Sequence, residues 1–199
     1  MTKGDETRSA VLSRALSLAS EVGLAGLTIG KLADDVGMSK SGLFAHFSSK
    51  ENLEIAVLDE AVDRFVALVV SPAFKRPRGE PRVRALMENW FAWSKQEWMP
   101  GGCIFVVVGV ELDDRPGPAR DRYVASQKDW FGTLAGAAKI AIEEKHFRKD
   151  LDVDQFAHEL FSIAMGYHFS RRIVDPKIAE KRARSALERL IADARAAAR

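Results

Sequence analysis

The chain has 199 residues, 47% of them hydrophobic and 29% charged, with a formal net charge of +2. That balance excludes a disordered chain and allows one sizeable core or two small ones, while a charge so close to neutral does not by itself demand a polyanionic partner. A single cysteine, Cys103, excludes an internal disulfide and fits a small buried apolar residue, so an oxidising compartment is not indicated.

The opening MTKGDETRSA carries no apolar signal region. The longest apolar run, Cys103 to Val110, is far shorter than the roughly 20 residues of a membrane span. The expectation is a cytoplasmic protein with no membrane partner. Basic residues do cluster: five Lys or Arg between Lys75 and Arg84, and nine against four acidic residues from Arg171 to Arg199. A solvated face or a linker is the expected reading of both.

Taken in order, the elements are almost all helical. Val11, Ala15, Leu18, Ala19 and Val22 recur at helical spacing, and Gly23 stops that helix. Thr28 is placed to cap a short helix over Ile29 to Val36, and Gly37 breaks it. Ser39 opens a third segment ending near Phe47. Ser48-x-x-Glu51 has the form of a capping box and predicts a new helix there. Leu53, Val57, Ala61, Phe65 and Leu68 would form its buried stripe, running to about Val70. Residues 71–81, rich in Pro and charge, predict a break.

Val83, Leu86, Met87, Trp90 and Phe91 define the next amphipathic helix, which ends before Pro100. Ile104 to Val110 is β-branched and favours a strand by propensity. No second strand is there to pair with it, so its backbone is better satisfied in a helix. After a break at Arg115-Pro116-Gly117-Pro118, a long helix is expected over about 119–145, with Val124, Phe131, Leu134, Ala138 and Ile142 on one face.

Two helices close the chain. Asp152 caps the first, with Gln155 three residues on, and Asp175 caps the second, with Pro176 at the favoured first position. On the first, Phe156, Leu160, Ile163, Ala164 and Tyr167 fall on one side. Phe161, Met165, His168 and Phe169 extend the apolar surface round roughly 240° at 100° per residue. Ala183, Leu187, Leu190, Ile191 and Ala194 make a second stripe on the last helix. Helices over about 153–171 and 176–196 are therefore expected to meet their own copies across a two-fold axis, as a four-helix homodimer contact; packing within one chain is the alternative.

Chemistry concentrates between Ile29 and His46. Ala33 is small where two helices would cross, Gly37 supplies a turn, and Leu43 anchors a second helix on the first beside Leu32, Val36 and Phe47. With Leu43 and Phe47 inward, Ser41, Gly42 and Ala45 face outward and Lys40, Phe44 and His46 flank them. Such a surface can enter a major groove about 12 Å wide. Gly42 costs about 1 kcal/mol of helix stability against Ala, which makes sense if backbone must approach another body. Ser39, Lys40 and Ser41, at the front of the helix, are candidates to read bases. Thr28, Phe44, His46 and Lys50 are candidates to hold the sugar-phosphate backbone, Lys50 at a helix start where free N–H groups help. Packing roles for Phe44 and His46 remain open.

The segment GLAGLTIGKLADDVGMSKSGLFAHFSSKENLEIAVLDE resembles the DNA-binding domain of TetR-family transcriptional regulators. The resemblance implies an all-α protein of about nine helices. Three would form an N-terminal helix-turn-helix DNA-binding domain, residues 1–47, and the rest an effector-binding and dimerisation domain, residues 48–199. It also implies a homodimer built by the last two helices, a palindromic double-stranded operator, and repression relieved by a small molecule. The family usually has Tyr where Phe44 stands, so a hydroxyl bond to phosphate is lost. With six basic against five acidic residues in the first fifty, nonspecific affinity is expected to be low.

An effector site should be concave and mostly apolar. Trp90, Trp93, Phe105, Trp130, Phe131, Phe161 and His168 supply aromatic material, although aromatics at helical spacing also build cores. No cofactor or metal is expected: the four His residues lack metal-ligand spacing. Ile29-Gly30-Lys31 hints at a phosphate loop, but Ala25 and Leu32 stand where Gly and a hydroxyl are needed. Gly-x-Ser-x-Gly and His-Glu-x-x-His are absent, so an enzyme is not expected. The rival reading is a DNA-binding protein without an effector, an activator or chromosome organiser.

Overall fold

The structure is a computed structural model that describes residues 3–196. Among them there are nine helices and no strand. We label them α1 (Lys3–Gly26), α2 (Ile29–Asp35), α3 (Lys40–Phe47), α4 (Lys50–Phe65, continued through a π-turn at Val66–Val70 into Ser71–Phe74), α5 (Glu80–Trp93), α6 (Ile104–Leu112), α7 (Pro118–Glu143), α8 (Val153–Phe169, ending in a π-turn at Ser170–Val174) and α9 (Ala179–Ala194). Internal contacts divide the chain into two compact units, one of residues up to 64 with 95–126, the other of residues 65–94 with those from 127 on.

In the first unit α1 packs on α6, burying Val11, Ala15, Leu18 and Ala19 as their spacing predicts. Val22 does not follow the stripe and is 42% exposed, because Gly23 (φ 71°) breaks the helix immediately after it. Gly101 lies so close to α1 that a Cβ there would sit 1.6 Å from the Ser20 carbonyl oxygen. No other residue fits, and its N–H donates to Ser20 Oγ at 3.2 Å. The β-branched run is helical: Ile104–Leu112 form α6, with Ile104, Phe105, Val108 and Leu112 buried.

Helix α4 starts one residue later than the capping-box pattern predicts. Ser48 is in the left-handed region (φ 62°) and closes α3, its N–H bonding Phe44 O at 2.7 Å. Ser49 caps α4 instead, accepting from Asn52 N at 3.0 Å.

In the second unit the continuation of α4 buries Phe65, Val69 and Ala73, and Leu68 is 44% exposed, against the predicted stripe. The cause is the π-turn. Its wider i→i+5 turn adds a residue, so every fourth residue stays on one line where a plain α-helix would rotate it away. The same turn admits Pro72, so the helix runs to Phe74 and the predicted break over 71–81 shrinks to the stretch after it.

The core of this unit is aromatic. The Phe65 ring meets Trp93 at 5.3 Å and Trp130 at 4.9 Å, both edge-on, while Tyr167 meets Phe91 at 5.0 Å and Trp90 at 6.2 Å. Helix α7 buries Trp130, Leu134, Ala137, Ala138 and Ala141; the predicted Val124, Phe131 and Ile142 are only half-buried. Asp152 caps α8 as expected, accepting from Asp154 N and Gln155 N at 3.1 and 3.0 Å. Asp175 caps a turn rather than a helix: it accepts from Lys177 N at 3.0 Å, and α9 proper begins at Ala179.

Arginines tie α5 to α9. Arg84 bonds Glu188, Arg195 bonds Glu80 at 2.7 Å, and Arg184 bonds Glu88. The hydrogen bond from Arg195, aided by Arg84, holds the Glu80 carboxyl down at about 2 against the opposing effect of partial burial.

Candidate nucleic-acid interface

The helix-turn-helix forms from local chemistry. Thr28 Oγ1 accepts from Lys31 N at 3.2 Å and starts α2. Leu32 and Ala33 are fully buried, so α2 and α3 approach closely. Gly37 takes φ 67°, and Met38 N returns to Ala33 O at 2.9 Å, closing the turn. Ser39 Oγ accepts from Gly42 N at 3.1 Å and starts α3. Leu43 and Phe47 anchor α3 inward at 0% and 4% exposure. The guanidinium of Arg8 lies 5.0 Å from the Phe47 ring centroid.

What remains on the outside of α3 is the predicted surface. Ser39, Lys40, Ser41 and Ala45 are exposed, and Phe44 is 51% exposed, a large apolar ring in water with no core to cover it. Ser39 Oγ and Ser41 Oγ are 3.2 Å apart, forming a small polar pair at the front of the helix. The Lys40 stem runs beside Gly30, whose added Cβ would lie 3.3 Å from Lys40 Cε. His46 is half-buried, its ring 6.3 Å from that of Phe47. Gly42 has a reason within the chain: a Cβ there would be 3.1 Å from Ser39 Oγ, crowding the cap.

Lys50 is already engaged. Its Nζ donates to Ala25 O at 3.0 Å and stands 3.6 Å from Glu54 Oε1, so a phosphate would compete with contacts inside the chain. Arg14 is paired with Asp35 at 2.8 Å, which removes one cation and one anion from the head's field.

The aromatic residues expected to meet an effector are divided. Phe105 belongs to the first unit, where its carbonyl accepts from Tyr123 OH at 2.9 Å. Burial, with a smaller contribution from Cys103, pushes that phenol up to about 12. Trp90, Trp93, Trp130, Phe131, Phe161 and His168 belong to the second unit. Trp93 is 1% and Trp90 2% exposed, both packed in the aromatic core. Phe131 and Phe161 face each other at 4.7 Å and are half-buried. His168 is 8% exposed; burial first, then Arg172 and Arg171, push its imidazole down to about 4, so it is neutral near pH 7.

Two buried polar atoms in this unit have no hydrogen-bond partner, Tyr167 OH and His168 Nε2. The sequence places Tyr167 only on the apolar surface of α8; its unpaired hydroxyl is a tertiary fact. A separate surface cleft of about 570 Å³ lies along the start of α5, lined by Arg76, Glu80, Arg84, Glu88, Asn89 and His146 among others, and none of the predicted effector residues lines it.

Residues 11–57 match the family described as bacterial regulatory proteins, tetR family, and residues 79–187 match the tetracyclin repressor-like C-terminal domain. The HTH-type transcriptional activator FasR of Mycolicibacterium smegmatis is 34% identical over 93 residues, which is 47% of this chain and 42% of FasR. The chain thus matches less than half the length of that relative. A TetR transcriptional regulator from Chloroflexus aurantiacus superposes with a TM-score of 0.81 at 26% identity, covering 96% of each chain. AibR, solved in complex with isovaleryl coenzyme A and operator DNA, superposes with a TM-score of 0.70 at 22% identity over 89% of this chain and 96% of its own, a likeness of fold.

Proposed function

Because the chain belongs to the TetR family of DNA-binding transcriptional regulators, and is a regulator rather than an enzyme, we propose that it works as a homodimeric repressor released from a palindromic operator by a small, largely apolar effector. The observation that carries the DNA half is α3. It presents Ser39, Lys40, Ser41 and an uncovered Phe44 on a helix locked from behind by Leu43 and Phe47. In this reading Ser39, Lys40 and Ser41 contact base edges, and Thr28, Gly42, Phe44, His46 and Lys50 set the register on sugar and phosphate. Lys50 would have to exchange the Ala25 carbonyl for phosphate.

Dimerisation through α8 and α9 is supported by apolar residues left in water at the end of α8: Phe169 is 60%, Ile173 71% and Val174 62% exposed. In a two-fold pair the recognition helices would need to sit about 34 Å apart to enter successive major grooves. The effector half is supported by the unpaired Tyr167 hydroxyl and His168 Nε2 in the aromatic unit. A ligand polar group would satisfy either, and a neutral His168 disfavours no apolar ligand. Residues 1–47 would then bind DNA and 48–199 bind effector and pair, with α4 carrying the signal between them, in the cytoplasm.

A mobility-shift titration on a duplex from the gene's own promoter tests this, with a panel of hydrophobic metabolites added to the complex. Salt-sensitive binding by a dimer, reversed by one class of compound, is expected. A lone subunit with no salt-sensitive binding would end the reading. Binding that no compound reverses would favour a regulator without effector.

A further inference from the structure

Gly23 interrupts α1, and the next two amides turn to a side chain far along the sequence. Leu24 N donates to Glu111 Oε2 at 2.7 Å and Ala25 N to Glu111 Oε1 at 2.8 Å. The Glu111 carboxylate thus caps the restarted turn as an N-cap acid would, although it comes from α6. A Cβ at position 23 would lie 2.3 Å from Glu111 Oε2, so glycine both takes the left-handed conformation and leaves the carboxylate its place.

Glu111 is itself anchored. Arg115 Nη1 donates to its Oε1 at 2.8 Å, while Arg115 Nη2 bonds Glu54 Oε2 on α4. Glu54 is 1% exposed, and its other oxygen has no hydrogen bond, only the Lys50 ammonium at 3.6 Å. That ammonium donates to Ala25 O at 3.0 Å. The circuit closes on Ala25: its N–H is held from α6 and its carbonyl from α4. Three residues later stands Thr28, the cap that starts the helix-turn-helix. A buried carboxylate adds little net stability even when paired, but removing one partner leaves its charge stranded.

We propose that Glu111, Arg115 and Glu54 are positioning residues for DNA binding, which fix the entry of the helix-turn-helix against α4 and α6 without touching DNA. The inference rests on the DNA-binding reading above. Its signature is a loss of discrimination rather than of charge. The exposed groups of α3 stay in place, but their aim is no longer set, so operator binding falls while nonspecific attachment persists.

The test compares full-length wild type with Glu111→Gln on two duplexes, one selected from genomic fragments on immobilised wild-type protein and one of random sequence, at matched salt. Expected for Glu111→Gln is a rise of about tenfold in Kd on the selected duplex, with the random duplex within about twofold and the melting midpoint little changed. Equal affinity on the selected duplex, or an equal loss on both duplexes, overturns the proposal. Should Glu111→Gln lose helicity, Arg115→Lys decides, since it keeps a cation beside Glu54 and loses the fork. A rise of about threefold confined to the selected duplex sustains the proposal, and no change overturns it. Wild type that fails to separate the two duplexes sinks the DNA-binding reading itself, and this inference with it.

Discussion

The two units are held together by different physics. The second is cemented by rings: Phe65, Trp90, Phe91, Trp93, Trp130 and Tyr167 meet edge-on in its core, and Arg–Glu pairs join α5 to α9 at its surface. In the first, the decisive joint is polar, with Glu111, Arg115, Glu54 and Lys50 converging on the backbone of Leu24 and Ala25. Close-packed aromatics lose contact energy over fractions of an ångström and tolerate few alternative packings. The polar joint is anchored on Glu54, 1% exposed, so removing one partner strands a buried charge.

The largest effect should come from breaking the stiff side. Trp93→Ala, at a side chain 1% exposed, is expected to cost about 3–5 kcal/mol in denaturant unfolding, and a cost below about 1 kcal/mol would mean the ring cluster is not the cement. Next is Lys40→Ala, which should weaken operator binding by about 1–3 kcal/mol while leaving the melting midpoint unchanged, because Lys40 is exposed. Phe44→Tyr should act in the opposite direction, tightening binding by about 1 kcal/mol through a new hydroxyl–phosphate bond. An unchanged affinity would place Phe44 away from the backbone.

The smallest effect concerns pH. Glu80 is held at about 2 in the folded chain against an ordinary value of 4.5. The folded state therefore prefers the charged form. The stabilisation is complete above pH 4.5 and is lost as pH falls through about 2. Glu80→Gln should lower the melting midpoint by about 2–4 °C at pH 7, with the gap to wild type narrowing across that window. A gap independent of pH would assign Glu80 a packing role instead. His168 acts with the same sign over a higher range: its folded value near 4, against 6.5, costs stability as pH falls below 6.5.

Most structural rules that span only a few residues were legible in the order of amino acids. The Thr28, Ser39 and Asp152 caps, the left-handed Gly37 and the inward pair Leu43 and Phe47 each depend on neighbours within one or two turns, and each is where its spacing predicts. Small errors arose where two local signals compete. Ser48 and Ser49 both can cap, and the left-handed exit of α3 assigned the role to Ser49. A π-turn, which leaves no residue signature of its own, moved burial from Leu68 to Val69.

Tertiary structure alone decided the rest. No spacing rule singles out Glu111, yet it caps amides 86 and 87 residues away. Lys50 donates to the Ala25 carbonyl, 25 residues back along the chain, and Phe105 groups with the first unit while the other aromatic candidates group with the second. Hydrogen-bond caps and helical periods are set along the chain, whereas the partner of a buried charge is whatever folding brings beside it, and no spacing rule carries that information.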